Sequence, residues 1–431
     1  MPELLQIDEP ARPPAVRPDL KAFLSLGFRP LYIAGCLWAL VSIAIWIFAP
    51  QLIPAPLAGV AWHAHEMLWG FIATIAVAFL LTASATWTGF NPIKGWPLAV
   101  LTLLWVIARI GYLTGGPVAV QAACISETAF FLASAIALLR VMLKGKSVRN
   151  YGLPWLVLGL GVANILYMRA ALQGNYIELM RRFDLGLICM AIIALLIARR
   201  VIPFFAMRAV AGLKIPMQTR SGHVQLVLGV AAIVLGLAGL AAYAAAALAI
   251  VGLIGLIQVV TWKPAAVQSK PILWILYVGY TLMSLGLVFA AAHIAGLSPD
   301  LFGRAAVHVH IIAMGGFSVL IIGMVTRTAL GHLGRPLALD RSMLAAYGLV
   351  LLAFVLRLAA LWPSALSVHF LHLAATAWIL AFALYLWRFV PMLIRPRPDA
   401  VKPQAPAGRP SANQASANQI SITAVSRKKP Q

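Results

Sequence analysis

Apolar runs, each about long enough to cross a bilayer, follow one another almost without a break from residue 27 to residue 393. The gaps between them hold most of the lysines and arginines. Such a chain would lack polar surface in water. Only 10% of its residues are charged and 62% are hydrophobic, against about 25% and 45–50% in a soluble domain. The fold class expected is an all-α polytopic membrane protein. Its spans are read as 27–49, 62–86, 96–114, 118–142, 151–173, 179–200, 222–242, 244–261, 271–296, 303–326, 342–362 and 367–393. The run from Val224 to Val260 is too long for one span and is divided near Ala242.

The charges set the orientation. With twelve spans, all but six of the 33 basic residues fall on one side, which places both termini in the cytoplasm. The six are Arg109, Arg169, Arg181, Arg182, Arg304 and Arg357, all in or beside the outer leaflet. They are read either as side chains snorkelling to headgroups or as counter-charges to an anionic cofactor, such as haem propionates, with Glu66, Glu178, Asp184 and Asp300 as alternative partners. Arg109, Glu127 and Arg357 lie within spans, where a structural ion pair and a functional role are both open. The net charge of +22 is topogenic and lipid-directed, and nucleic acid is not expected as a partner.

Seven of the nine histidines fall at one depth, within about two turns of the outer boundary. His63 and His65 open the second span, His293 ends the ninth, His308 and His310 open the tenth, and His369 and His372 open the twelfth. Ionisable groups inside a membrane usually mark function, and a layer of imidazoles suggests a haem or metal site. Residues at i and i+2 lie about 200° apart on a helix, so the second and tenth spans can each serve two sites, one on each flank. His369 and His372 share a face and can converge on one metal. Imidazole suits haem iron and copper alike. His223 and His332 sit in basic loops and read as surface residues.

Cys36, Cys124 and Cys189 lie in separate apolar runs and read as small core residues. With no CxxC or CxxCH, a redox dithiol and covalent c-type haem are not expected, so any haem would be held without a covalent link, and haem b is the cofactor expected. No P-loop, dinucleotide fingerprint or HExxH is present. Residues 1–26 form a polar, proline-rich tail with no cleavage site expected, 27–394 the membrane domain, and the basic tail from 395 is expected to be disordered. Tryptophans near span ends, Trp38, Trp46 and Trp62 among them, read as interfacial belts or packing.

Trp62-His63-Ala64-His65-Glu66-Met67-Leu68-Trp69-Gly70-Phe71, Phe79-Leu80-Leu81-Thr82-Ala83, Trp87-Thr88-Gly89 and Gly95-Trp96-Pro97-Leu98 resemble the NnrS family. So does the stretch from Met324 to Leu337, which contains Thr326-Arg327-Thr328 and Gly331-His332-Leu333-Gly334-Arg335-Pro336, and Phe28-Arg29-Pro30 is similar to the family's opening. The resemblance covers about residues 23–395. It implies a multi-pass protein of the bacterial inner membrane that contains haem and copper and is linked to nitric oxide, through denitrification or relief of nitrosative stress. It implies nitric oxide as a small-molecule partner and admits an electron donor. It also places His332 in a motif, where a loop-structuring role is expected.

A fainter similarity is to the haem–copper oxidases, in the tenth-span His308-Val-His310 followed by small residues and a histidine on the second span. No histidine lies within the sixth span and His223 is at the wrong end of the seventh, so an oxidase-type copper site is not expected. The sequence reading pairs His65 with His310 on haem, although spacing does not choose within each i, i+2 pair. It assigns copper to His369 and His372 with His293, His63 or His308. Arg109, Arg304 and Arg357 are the candidate cofactor counter-charges. No catalytic residue is assigned. The alternatives are a haem sensor or metal chaperone without turnover, and a twelve-helix secondary transporter. Against the transporter, no obvious repeat relates the halves, as many transporter folds would show.

Overall fold

The computed structural model describes residues 17–55, 57–216, 218–297 and 304–401. Twelve helices long and apolar enough to span a membrane run through them: α1 Phe28–Phe48, α2 Val60–Thr88, α3 Trp96–Thr114, α4 Pro117–Lys144, α5 Val148–Leu172, α6 Tyr176–Ala209, α7 Thr219–Leu237, α8 Ala241–Thr261, α9 Pro271–Ile294, α10 Ala306–His332, α11 Arg341–Ala359 and α12 Ser367–Leu393. There is no strand among the described residues. In hydrocarbon every backbone group must find its partner within the protein, and runs of about 20 apolar residues meet that need as helices. Most of the C-terminal tail, and Asp300, lie outside the described residues.

Local chemistry places the ends. Pro97, Pro117 and Pro271 occupy first-turn positions of α3, α4 and α9, where no amide partner is lost. Asn175 and Asp340 cap α6 and α11, accepting from the Glu178 and Met343 amides at 3.1 and 3.0 Å. The long run after residue 219 breaks at Gly239, whose φ of 77° reverses the chain between α7 and α8. α6 continues to Ala209 through Pro203, beyond the sequence boundary at residue 200, where Arg199 and Arg200 look like a membrane edge.

Most successive helices pack as neighbours, and α12 returns against α1 to close the bundle. The closure is bonded at both depths. Arg29 is buried and donates to the Leu393 and Arg395 carbonyls at 2.8 and 2.7 Å, satisfying the end of α12. Trp378 donates to the Ala39 carbonyl at 2.8 Å. The Phe28-Arg29-Pro30 motif is thereby explained as architecture. His332, in the other long motif, lies against Phe28 with ring centroids 5.6 Å apart, and the Arg327 guanidinium sits over the Phe205 ring at 3.8 Å.

Inside the ring, α2, α6 and α10 touch one another. They are also the most enclosed spans, with 83%, 67% and 72% of their apolar windows buried, against 22% for α7. α2 and α10 share a local plan. In each, the residue after the second histidine begins an eight-residue π-helical segment, Glu66–Ala73 and Ile311–Ser318. The carbonyls that such a segment displaces are met by side chains. Thr74 donates to Trp69 O at 3.1 Å, Trp105 Nε1 to Gly70 O at 3.2 Å, and Ser318 to Ala313 O at 2.8 Å. π segments are rare and frequently accompany functional sites.

The described connecting residues 49–55, 57–59, 115–116, 173–175, 238–240, 295–297, 304 and 360–366 lie at the end of the bundle that bears the seven histidines. Reporter fusions at Ala55, Gly116 and Ser364 should give periplasmic signals. A cytoplasmic signal at two of the three would reverse the orientation argued from the basic residues.

Candidate functional site

The i, i+2 spacing sends the two histidines of α2 to opposite surroundings. His63 lies on the wall of an apolar cavity of about 230 Å³ between α1, α2, α6, α10, α11 and α12. Its ring stacks on Trp46 of α1, with centroids 5.1 Å apart and planes within 8°. Across the cavity stands His310 of α10, its ring 6.4 Å from that of His63 and inclined by 21°. Met67, Met180, Met314 and Phe71 supply further walls, and Arg357 of α11 is the cation facing the space. No carboxylate pairs with Arg357 among the described residues. A second, smaller apolar cavity of about 80 Å³ lies deeper along α2, α6 and α10 and shares Ile72 with the first.

His310 is held by its Nδ1, which lies 2.7 Å from the Ala306 carbonyl. A carbonyl can only accept, so Nδ1 carries the hydrogen and Nε2 keeps its lone pair. This is the usual way a second-sphere contact prepares an imidazole to bind a metal.

His65 faces the other way, into a closed ring of charges. Its Nδ1 donates to Glu66 Oε1 at 2.8 Å and its Nε2 to Glu127 Oε2 at 3.1 Å. Arg109 completes the circuit, bonding Glu66 Oε2 at 2.6 Å through Nη1 and Glu127 Oε1 through Nη2. Two basic side chains thus alternate with two acidic ones in a closed ring, and a doubly protonated His65 would balance its charge. None of the four residues is more than 2% exposed. Trp38 donates to Glu66 and Tyr112 to Glu127, the latter at 3.0 Å, so the spare acceptor positions are filled. Asn164 adds a contact to His65 Nε2 at 3.3 Å, and Trp69, Tyr112 and Tyr167 wall the imidazole. Gly70, within the π segment of α2, makes the room. A Cβ there would stand 2.4 Å from Arg109 Nη1 and 2.7 Å from Glu66 Oε2.

The remaining candidates divide. His308, on the far flank of α10 from His310, pairs with His293 of α9 at a centroid separation of 4.8 Å. Arg304 is exposed and donates to the Leu361 carbonyl, tying α10 to the end of α11. His369 and His372 are on the exposed face of α12, with His372 5.5 Å from Phe48. The face of α12 toward the cavity is made by Leu371, Ala374, Ala375 and Trp378. Arg182 pairs with Glu178 one turn away, and His223 is exposed. No group of three or more His, Cys, Asp or Glu side chains placed to hold a metal occurs among the described residues.

Sequence reasoning missed the stacking partner Trp46, read as belt or packing, and the roles of Asn164 and Tyr112. Glu66 and Glu127 carried a usable signal. Two carboxylates and an arginine at similar depth in adjacent spans cannot stay unpaired in hydrocarbon.

A polytopic, all-helical membrane protein with a histidine-walled apolar cavity between its central spans is the class that this geometry defines. The family model described as NnrS protein matches residues 22–397, all twelve spans, and the chain belongs to the NnrS family. That membership is consistent with a nitric-oxide-related membrane protein. No curated protein matches the chain.

Proposed function

We propose that the cavity between His63 and His310 holds haem b and that the protein acts on nitric oxide in the bacterial inner membrane, in nitrosative-stress response or denitrification. The observation that carries this reading is the pair of imidazoles facing one another across an apolar cavity. The His63 and His310 rings stand 6.4 Å apart, centroid to centroid, and are the two residues that would hold the haem iron. Arg357 supplies a counter-charge for a carboxylate in otherwise apolar walls, and the fixed tautomer of His310 leaves Nε2 ready as donor.

When bound, haem supplies a redox-active iron able to take a diatomic ligand. The chain does the rest. His310 is pinned by Ala306 and keeps its place. His63 is held by stacking on Trp46, with no hydrogen bond among the described residues, and is the ring that can move aside for a small ligand. The apolar walls exclude water and admit an uncharged molecule that dissolves in lipid. Arg357 favours negative charge developing in the cavity. His65 and Arg109 act from behind α2, where the charge ring fixes the rotation of its histidine-bearing end.

Purified full-length protein should show a haem b spectrum that changes on addition of nitric oxide to the reduced form. His63→Ala and His310→Ala should each abolish that spectrum or convert it to a five-coordinate one. Full haem content with an unaltered spectrum in both variants removes the site. Consumption of nitric oxide with a reductant marks an enzyme, and spectral change without consumption marks a sensor.

A further inference from the structure

We infer that the smaller cavity is a holding site for an uncharged molecule of diatomic size, which it passes to the larger cavity by way of Ile72. The destination rests on the haem reading of the larger cavity; the holding site does not.

The first ground is the lining. Ile72 and Ala76 of α2, Ala194 and Ala198 of α6, and Phe317 and Leu320 of α10 are among the residues that enclose the space. No charged side chain reaches it, and Tyr32 alone brings a side-chain oxygen or nitrogen. A buried water needs two to four polar partners, so the cavity stays dry and admits apolar guests. Its volume of about 80 Å³ is roughly half the ~150 Å³ of an engineered apolar cavity that takes benzene or xenon, which limits the guest to a few atoms.

The second ground is that the space exists at all. Protein interiors are close-packed, and a void forfeits the contacts its walls would otherwise make. This one lies among α2, α6 and α10, the most enclosed spans of the molecule. Three alanines, Ala76, Ala194 and Ala198, face it where longer side chains would close it.

The third ground is the connection. Ile72 belongs to the π segment of α2 and borders both cavities. Phe317, in the π segment of α10, borders the smaller cavity, and its neighbour Ser318 borders the larger. The wall between the two spaces is thus built where both helices change their bonding, and a turn of the Ile72 side chain joins them. At its other extreme the smaller cavity reaches Ile202, past Arg199 and Arg200 and toward the end of the bundle that bears both termini. Together the cavities form a lengthwise apolar path to His63 and His310 from the half of the bundle opposite the histidines.

The test uses the full-length protein, with xenon as the probe of the cavity and carbon monoxide as the probe of the path. Diffraction from crystals pressurised with xenon should place an anomalous peak beside Ala194 in wild type and none there in Ala194→Phe. Ala194 borders the smaller cavity and not the larger, so haem content and spectrum should be unchanged in this variant. After flash photolysis of the reduced protein, recombination of carbon monoxide from solution should be at least about tenfold slower in Ala194→Phe than in wild type, and faster in Ile72→Ala. Ala76→Leu, a smaller plug on the opposite wall, carries both measurements if Ala194→Phe fails to fold. An absent xenon peak in wild type overturns the holding site. Xenon bound, but with recombination in the plugged variant equal to wild type, overturns the path. Wild type without haem overturns the destination along with the haem reading, while the xenon peak still decides the holding site.

Discussion

Replacing Arg109 with alanine should be among the most damaging single changes in the molecule, lowering stability by about 3–5 kcal/mol. The guanidinium bridges Glu66 and Glu127, and without it two buried carboxylates are left with only the His65 ring between them. A lone negative charge in this setting has no water to turn to. Arg109→Lys should fall between, because an ammonium cannot fork across two carboxylates as a guanidinium does. The cause can be separated from the size of the lesion. If uncompensated charge is what destabilises, Arg109→Met combined with Glu66→Gln and Glu127→Gln should recover part of the loss, since breaking a buried pair costs more than replacing the whole set. The measurement is the fraction of monodisperse protein surviving a heat step in detergent. An Arg109→Ala midpoint equal to wild type would mean that the ring contributes nothing to stability.

Gly70→Ala should destabilise, although the same exchange in an ordinary helix interior stabilises by about 1 kcal/mol. The added methyl would lie 2.4 Å from Arg109 Nη1, 2.7 Å from Glu66 Oε2 and 2.9 Å from Trp38 Cδ1. Flexible side chains often give way to a new methyl. These cannot, because each is held by the ring or by its hydrogen bond to it. Overpacking of this kind costs about 1–3 kcal/mol, and a ring forced open adds to it. Gly236→Ala in α7 is the control. Nothing lies within 4 Å of its Cβ position, and this variant should be neutral or stabilising. Both variants should be compared in one thermal series. If Gly70→Ala melts at or above wild type, the packing argument around the ring is wrong.

Much of the architecture was legible before any coordinates. Hydropathy and the one-sided basic residues define twelve spans, because in hydrocarbon the two constraints act on every segment at once. The boundary of α6 was not, since Arg199 and Arg200 resemble an interface yet lie within a helix that runs on through Pro203 to Ala209. The site was legible in part. Spacing separates His63 from His65 by half a turn, but a helix apolar on every side does not say which flank faces the centre. Here the flank is set by partners far away in sequence: Glu127 and Arg109 draw His65, and Trp46 receives His63. On α12 the small residues Ala374, Ala375 and Ala381 mark the inward face, and His369 and His372 fall outside it. Nothing in a hydropathy pattern reveals a change from α to π bonding, so the two π segments are a finding of the structure.

Those segments make α2 and α10 compound shafts. A π turn takes in an extra residue, so the end of each helix that carries its histidines is out of phase with the end that packs in the deep core. Aim and anchorage are thereby uncoupled. The histidine-bearing ends can be re-pointed by lengthening or shortening the coupling, while the deep contacts of α2 with α1 and of α10 with α9 keep their register. Both joints fall in the two rods that face each other across the cavity, so a one-residue change at either would re-aim His63 or His310 while the outer ring of helices kept its packing.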